Sequence, residues 1–302
     1  MKILISGATG LVGKQLVRHL KSRGHEVNFL TTRREEINAF GSGVGGFLWN
    51  PRVKVVDVDS LEDVEVIIHL AGASISEPWT PQYKQTIVES RVASAELLFE
   101  AVKKHGPKVR HFISASGIGI YKDSVSIRHD EASIAFQPGF LGDVVKRWEA
   151  VADKFSLLNI AVTKVRTGLV LSADGGALPE LAKPIRWGAG APLGSGDQMQ
   201  SWIHIDDLAG IYAFIAEHQL PGVYNAVAPN PTTNRAMTKA VAKRLKRPVL
   251  LPAVPAFMLR LILGERYKLL VESQYVSADK IVAAGYNFRY PHLSDALLVI
   301  YP

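Results

Sequence analysis

Three glycines spaced Gly7-x-x-Gly10-x-x-Gly13 carry the clearest chemical signal in the chain. Glycine lets a backbone turn tightly and approach a pyrophosphate. A following helix then offers free N–H groups and the positive end of its dipole. An ordinary strand-to-helix turn can need the same small residues, so the flanks decide the weight of the motif. Residues 2–6 are a short apolar run suited to a buried parallel strand. Residues 11–23 place Leu11, Leu16, Val17 and Leu20 at helical spacing, and Gly24 ends the pattern. Strand, glycine turn and helix therefore occur in the order that binds a dinucleotide.

A second strand is predicted at 26–30, followed by Thr31-Thr32-Arg33-Arg34. An acidic residue at that place would hold the adenosine ribose hydroxyl of NAD. Hydroxyls and guanidinium groups instead suit a 2′-phosphate by charge and fork geometry, which points to NADP(H). The alternative is a solvated arginine pair, neutralised by Glu35 or Glu36.

These residues need a scaffold. Further strands are predicted at 53–58, 64–70, 110–116 and 160–166, and helices at 81–104 and 142–154. Strands alternating with helices predict an α/β protein with a Rossmann-type doubly wound parallel sheet. After Gly168 the texture changes. Residues 173–196 are rich in Gly and Pro and read mostly as loop. Residues 201–205 read as a strand entering a helix capped at Asp206-Asp207, and 228–234 as a turn-rich stretch. Helical patterns beyond Thr238, interrupted at 285–291, predict a smaller, mostly helical C-terminal lobe. The expected division is a dinucleotide-binding domain with its substrate loops at 1–235 and a small domain at 247–298.

With these residues in view, the chain resembles the extended short-chain dehydrogenase/reductase superfamily, in its atypical sugar-nucleotide-epimerase-like branch. The resemblance covers nearly the whole chain. Its carriers include Ser6-Gly7-Ala8-Thr9-Gly10, Trp49-Asn50-Pro51, Leu70-Ala71-Gly72, Glu89-Ser90-Arg91 and Lys146-Arg147-Trp148-Glu149. Others are Arg166-Thr167-Gly168-Leu169-Val170-Leu171, Gly194-Ser195-Gly196, Trp202-Ile203-His204-Ile205-Asp206-Asp207 and Asn225-Ala226-Val227-Ala228-Pro229. The tail from about Arg247 resembles the small domain of unknown function found in this branch. The resemblance implies NADP bound across the strand ends. It implies that Gly7, Thr9, Gly10, Leu11, Val12 and Gly13 hold the pyrophosphate, and that Thr32 and Arg33, with Arg34 beside them, hold the 2′-phosphate. It further implies Leu70, Ala71 and Gly72 on the adenine–ribose side and Arg91 against the cofactor. Ser114 to Ser116 would lie beside the nicotinamide, and Val170 near its amide.

The superfamily's proton-transferring Tyr, with a Lys four residues later on the same helix face, should stand just before Trp148-Glu149. Those places hold Leu141 and Val145, and neighbouring registers supply no Tyr. Ser116 and Tyr121 are left as candidate catalytic residues. Tyr121 could act as an acid if its pKa were lowered, or serve as a packing aromatic. Two readings follow. One is an NADP(H)-dependent epimerase- or oxidoreductase-like enzyme acting on an unidentified carbonyl/alcohol or nucleotide-sugar-like substrate. The other is an NADP(H)-binding sensor or interaction protein without turnover, which Leu141 and Val145 favour.

The remaining signals have plainer readings. Cysteine is absent, which excludes a thiol nucleophile, a disulfide scaffold and thiolate metal sites. His204, Asp206 and Asp207 match no metal-binding pattern and read as a helix cap with a sheet-end histidine. The net charge of +7 allows an anionic partner. The basic run Lys243-Arg244-Leu245-Lys246-Arg247 reads as a solvated helix end, and no nucleic-acid partner is expected. The most apolar late segment, 253–263, is broken by Pro255 and Arg260 and is too short to span a bilayer, so no membrane partner is expected. The default expectation is a cytoplasmic protein, monomer or homodimer, binding a small-molecule substrate.

Overall fold

A computed structural model describes all 302 residues. The first half contains β1 (Lys2–Ser6), α1 (Leu11–Ser22), β2 (Glu26–Thr31), β3 (Val44–Asn50), β4 (Val55–Val56) and β5 (Val66–His69). It continues with α2 (Pro81–His105), β6 (His111–Gly117), β7 (Ser124–His129) and α3 (Phe140–Asp153). Then come β8 (Ala161–Thr167), β9 (Leu169–Leu171), α4 (Ala177–Arg186), β10 (Met199–Gln200), β11 (Trp202–His204), α5 (Ile205–His218) and β12 (Gly222–Ala226). The last stretch holds β13 (Thr232–Thr233), α6 (Asn234–Arg244), α7 (Ala256–Leu263), α8 (Lys268–Val271), β14 (Gln274–Val276), α9 (Asp279–Ala283) and α10 (Leu293–Ile300).

Eight strands form one sheet in the order β12-β8-β6-β5-β1-β2-β3-β4, parallel except for the edge pair β3–β4. The chain runs outward from β1 through β2 to β3, then returns to β5 on the other side of β1. That reversal places a crevice at the carboxyl ends of β1 and β5, where ligands bind in such sheets. Alternation along β1 shows both faces covered. Ile3 and Ile5 join α1 and α5 residues such as Leu16, Leu208 and Ile211 in one core, while Leu4 joins Leu98, Phe112 and Phe155 in the other.

Three expectations are corrected. The strand expected at 53–58 is only the two-residue β4, and the third parallel strand is β3. The segment expected to be mostly loop at 173–196 contains helix α4. The cap of α5 is the His204 ring, whose Nδ1 accepts the Asp206 N–H at 3.2 Å. Asp207 instead accepts the Arg289 and Tyr290 N–H groups at 2.7 and 2.9 Å, tying α5 to the C-terminal lobe.

That lobe shares its cores with the rest of the chain. Val276, Ala278 and Ile281 belong to the α1–α5 core. Tyr290, Leu297 and Ile300 pack with α4, α6 and the fully buried Trp202. Strand β14 pairs with β7 and β10, so the lobe is stitched in by backbone as well as by side chains. No helix is long and apolar enough to cross a membrane.

Candidate active site

The glycine turn follows β1 and opens α1. Gly7 has φ +75, and a Cβ there would lie 2.8 Å from the backbone of Leu70 and of Ala71. A Cβ on Gly13 would lie 2.3 Å from the Gly7 carbonyl oxygen. These two positions therefore need glycine for conformation and for close approach. Gly10 is the N-cap of α1. No side chain caps the helix and no acid stands in its first turn, so its N–H groups and dipole face an uncovered crevice. Thr9, Leu11 and Val12 are half-exposed around the turn. The second turn, Leu70-Ala71-Gly72, lies directly against the first.

Thr32, Arg33 and Arg34 follow β2 at the same sheet edge and are exposed. Arg33 pairs with Glu36 at 2.8 Å, and Glu36 also accepts the Thr31 hydroxyl proton at 3.0 Å. The neutralising role expected of Glu35 or Glu36 thus falls to Glu36.

Arg91 on α2 is only 9% exposed, yet no carboxylate pairs with it. Its guanidinium donates to the Ile87 carbonyl at 2.9 Å and stacks over Trp148, 4.8 Å from the ring centre. Burial pulls its pKa down to about 10. A Cβ at Gly72 would come within 3.0 Å of the Arg91 Cζ, so the missing side chain leaves the guanidinium room at the crevice. Behind it, buried His69 bridges the Ser6 hydroxyl at 2.6 Å and the Ser94 hydroxyl at 3.2 Å. This bridge fixes β5 between β1 and α2.

Further along the sheet edge, Ser116 at the end of β6 donates to Glu149 Oε1 on α3 at 2.6 Å. Arg166 on β8 grips both oxygens of Glu149 at 2.8 Å and donates to the Tyr121 hydroxyl at 2.9 Å. Tyr121 in turn donates to Asn225 Oδ1 at 2.7 Å. All five side chains are buried. Burial opposes the Glu149 charge, but the Arg166 hydrogen bonds and charge, with the Ser116 hydroxyl, outweigh it and hold the carboxyl below its usual range.

This network bears on the two roles open to Tyr121, acid and packing aromatic. Its side chain is fully buried, its proton is committed to Asn225, and burial raises its pKa despite Arg166. An acid needs the opposite shift, so these contacts fit the packing role of Tyr121 better than the acid role. Ser114 turns its hydroxyl to the Ala115 carbonyl at 2.9 Å. Val170 on β9 reaches the glycine turn only indirectly. A Cβ at Gly176 would lie 3.6 Å from the Val170 oxygen and 3.5 Å from Leu11. Val145 and Leu141 face the end of β6, within about 4 Å of where side chains of Gly117 and Gly119 would begin.

Sequence reasoning assigned Glu149, Arg166 and Asn225 no role beyond the resemblance, and His69 none at all. A charged residue in the buried run Val165-Arg166, and another on the buried face of α3, each demanded a partner, and that demand was a readable signal. No group of three His, Cys, Asp or Glu side chains is arranged to hold a metal ion.

The chain resembles proteins already described along its whole length. Residues 3–226 match the model of the NAD dependent epimerase/dehydratase family, and residues 254–299 match a domain of unknown function, DUF1731. Epimerase family protein SDR39U1 of Mus musculus is 34% identical over 303 residues, covering 98% of each chain. Epimerase family protein SAR0825 of Staphylococcus aureus (strain MRSA252) is 33% identical over 300 residues, covering 97% of each. The crystal structure of human SDR39U1 (isoform2) with NADPH superposes with a TM-score of 0.86 at 30% identity, covering 100% of this chain and 99% of that one. A glycine turn opening onto the β1–β5 crevice, and a family model spanning most of the chain, agree: this protein belongs to the NAD dependent epimerase/dehydratase family.

Proposed function

We propose that the protein binds NADP(H) in the β1–β5 crevice and acts as an epimerase- or oxidoreductase-like enzyme on a small carbonyl/alcohol or nucleotide-sugar-like substrate. The observation that carries this reading is Arg91, a buried cation without an acid, beside a turn that has no room for side chains. A diphosphate supplies the charge that Arg91 lacks, and the α1 N-terminus supplies N–H donors to it. The NADPH held by the human relative supports the choice of cofactor. Arg33, released from Glu36, would meet the 2′-phosphate.

Bound there, the nicotinamide supplies hydride exchange with a substrate carbon. Ser116 is the residue we assign to the substrate oxygen. Its one proton points to Glu149, so its lone pairs remain to accept a hydrogen bond from a substrate hydroxyl. Glu149 and Arg166 keep that hydroxyl in one orientation. A cytoplasmic location belongs to the same reading.

Leu141 and Val145 favour a second reading, in which NADP(H) is bound and sensed without turnover. Calorimetric titration with NADPH and NADH, followed by a panel of carbonyl compounds and nucleotide sugars monitored by nicotinamide absorbance, separates the two. The first reading expects turnover that Ser116→Ala lowers by about a hundredfold, the scale of a lost catalytic hydrogen-bonding group. Tight NADPH binding with no turnover across the panel would establish the second. Failure to bind NADPH would overturn both.

A further inference from the structure

Two sequence features play no part in the crevice: the basic run 243–247 and the apolar segment 253–263. The structure links them through the segment before α7 and the ends of α4 and α6. Helix α7 buries only Leu259, with Leu263 half-buried, and turns its other large side chains to solvent, with Phe257 72%, Leu261 86% and Ile262 72% exposed. Residues 257, 258, 261 and 262 share one helix face by their i, i+4 spacing. Leu250 and Trp187 are exposed as well. The segment before α7 runs beside the segment after α4, since Val254 donates its N–H to Pro192 at 2.8 Å and accepts that of Gly194 at 2.9 Å. The ends of α4 and α6 meet at Tyr301, where Arg186 stacks on the ring and Arg244 donates to the carbonyl oxygen.

We propose that this surface, α7 with the ends of α4 and α6, docks on an anionic lipid bilayer. The cations on these elements and their flanks are Arg186, Lys243, Lys246, Arg247 and Arg260, all exposed. Residues 243–272 hold seven Lys and Arg against Glu265 and Glu272, a net +5 within a chain whose net charge is +7. Two of the acids beside these elements are paired, Glu265 with Lys84 and Glu180 with Lys183. A second copy would bring an equal positive field to the same face and be repelled. Anionic headgroups attract it, and the apolar face buries in the headgroup–acyl boundary. The segment is too short to cross a bilayer, and lying on one requires no crossing.

Co-sedimentation of the full chain with vesicles tests this. Binding is expected to mixed phosphatidylglycerol–phosphatidylcholine vesicles and not to pure phosphatidylcholine, and to weaken as salt rises. Lys246→Ala with Arg247→Ala should lower partitioning by about fivefold per charge. Leu261→Glu with Ile262→Glu should abolish it. The altered side chains are exposed, and unchanged NADPH affinity and far-ultraviolet dichroism would show that each variant folds. Equal binding to both vesicle types, no binding to either, or a dimer that Leu261→Glu dissociates would overturn the proposal.

Discussion

Arg91 shows how a single side chain can report a ligand. A guanidinium taken out of water without a counter-charge destabilises the fold that buries it. If its partner is a cofactor diphosphate, stability and binding must move in opposite directions when it is replaced. Arg91→Met is therefore expected to leave thermal stability unchanged or raise it by about 1 kcal/mol. The same change should weaken NADPH binding by about ten- to a hundredfold. A variant that loses both equally would make Arg91 a packing residue. Arg33 carries a separate expectation. It must leave Glu36 to meet a phosphate, so Arg33→Ala should erase a preference for NADPH over NADH, and Glu36→Gln should strengthen it, as read by titration of both cofactors. The glycine turn was legible because its signal is local, a spacing beside a strand end. The Glu149–Arg166 pair was not, because its two halves lie on a helix and a strand and meet only through the sheet. The choice between the two roles open to Tyr121 was not legible for the same reason: Asn225, 104 residues away, accepts its proton.

At the level of elements, the β1–α1 unit is the one whose geometry tolerates least change. Gly13 lies on the first turn of α1, against the Gly7 carbonyl. Gly13→Ala should force the turn and helix apart, costing about 1–3 kcal/mol by denaturant unfolding and lowering NADPH affinity together with stability. Retained affinity would mean that the turn is only a connector. The parallel strands with short apolar runs, β1 and β5, were readable from the sequence pattern. Strand β3 was hidden by Gly45 and Gly46, which weaken a strand pattern but are needed here. A Cβ on Gly46 would lie 2.0 Å from the Ile37 carbonyl oxygen. Helix α4 was hidden by Pro179 and Pro184, yet Leu178, Ala182 and Ile185 keep helical spacing and are buried. Tertiary packing outweighs propensity in both cases.

Across the whole molecule, buried histidines make stability depend on acidity, His69 and His111 most strongly. His69 joins β1, β5 and α2, and His111 joins β6 to β8 through the Thr163 hydroxyl at 2.7 Å. Burial lowers the pKa of each from 6.5 to about 4. In the unfolded chain both protonate near pH 6.5, while in the folded chain they stay neutral until about pH 4. Between those limits the unfolded state holds more protons, so acid favours it. The contribution is complete above pH 6.5 and is lost as the pH falls toward 4, at up to about 1.4 kcal/mol per pH unit for each histidine. Denaturant midpoints measured between pH 7 and 4 should fall accordingly. His69→Gln, which can donate to one serine and accept from the other, should make the slope shallower over that range. A variant as acid-sensitive as the parent would move the cause to another group.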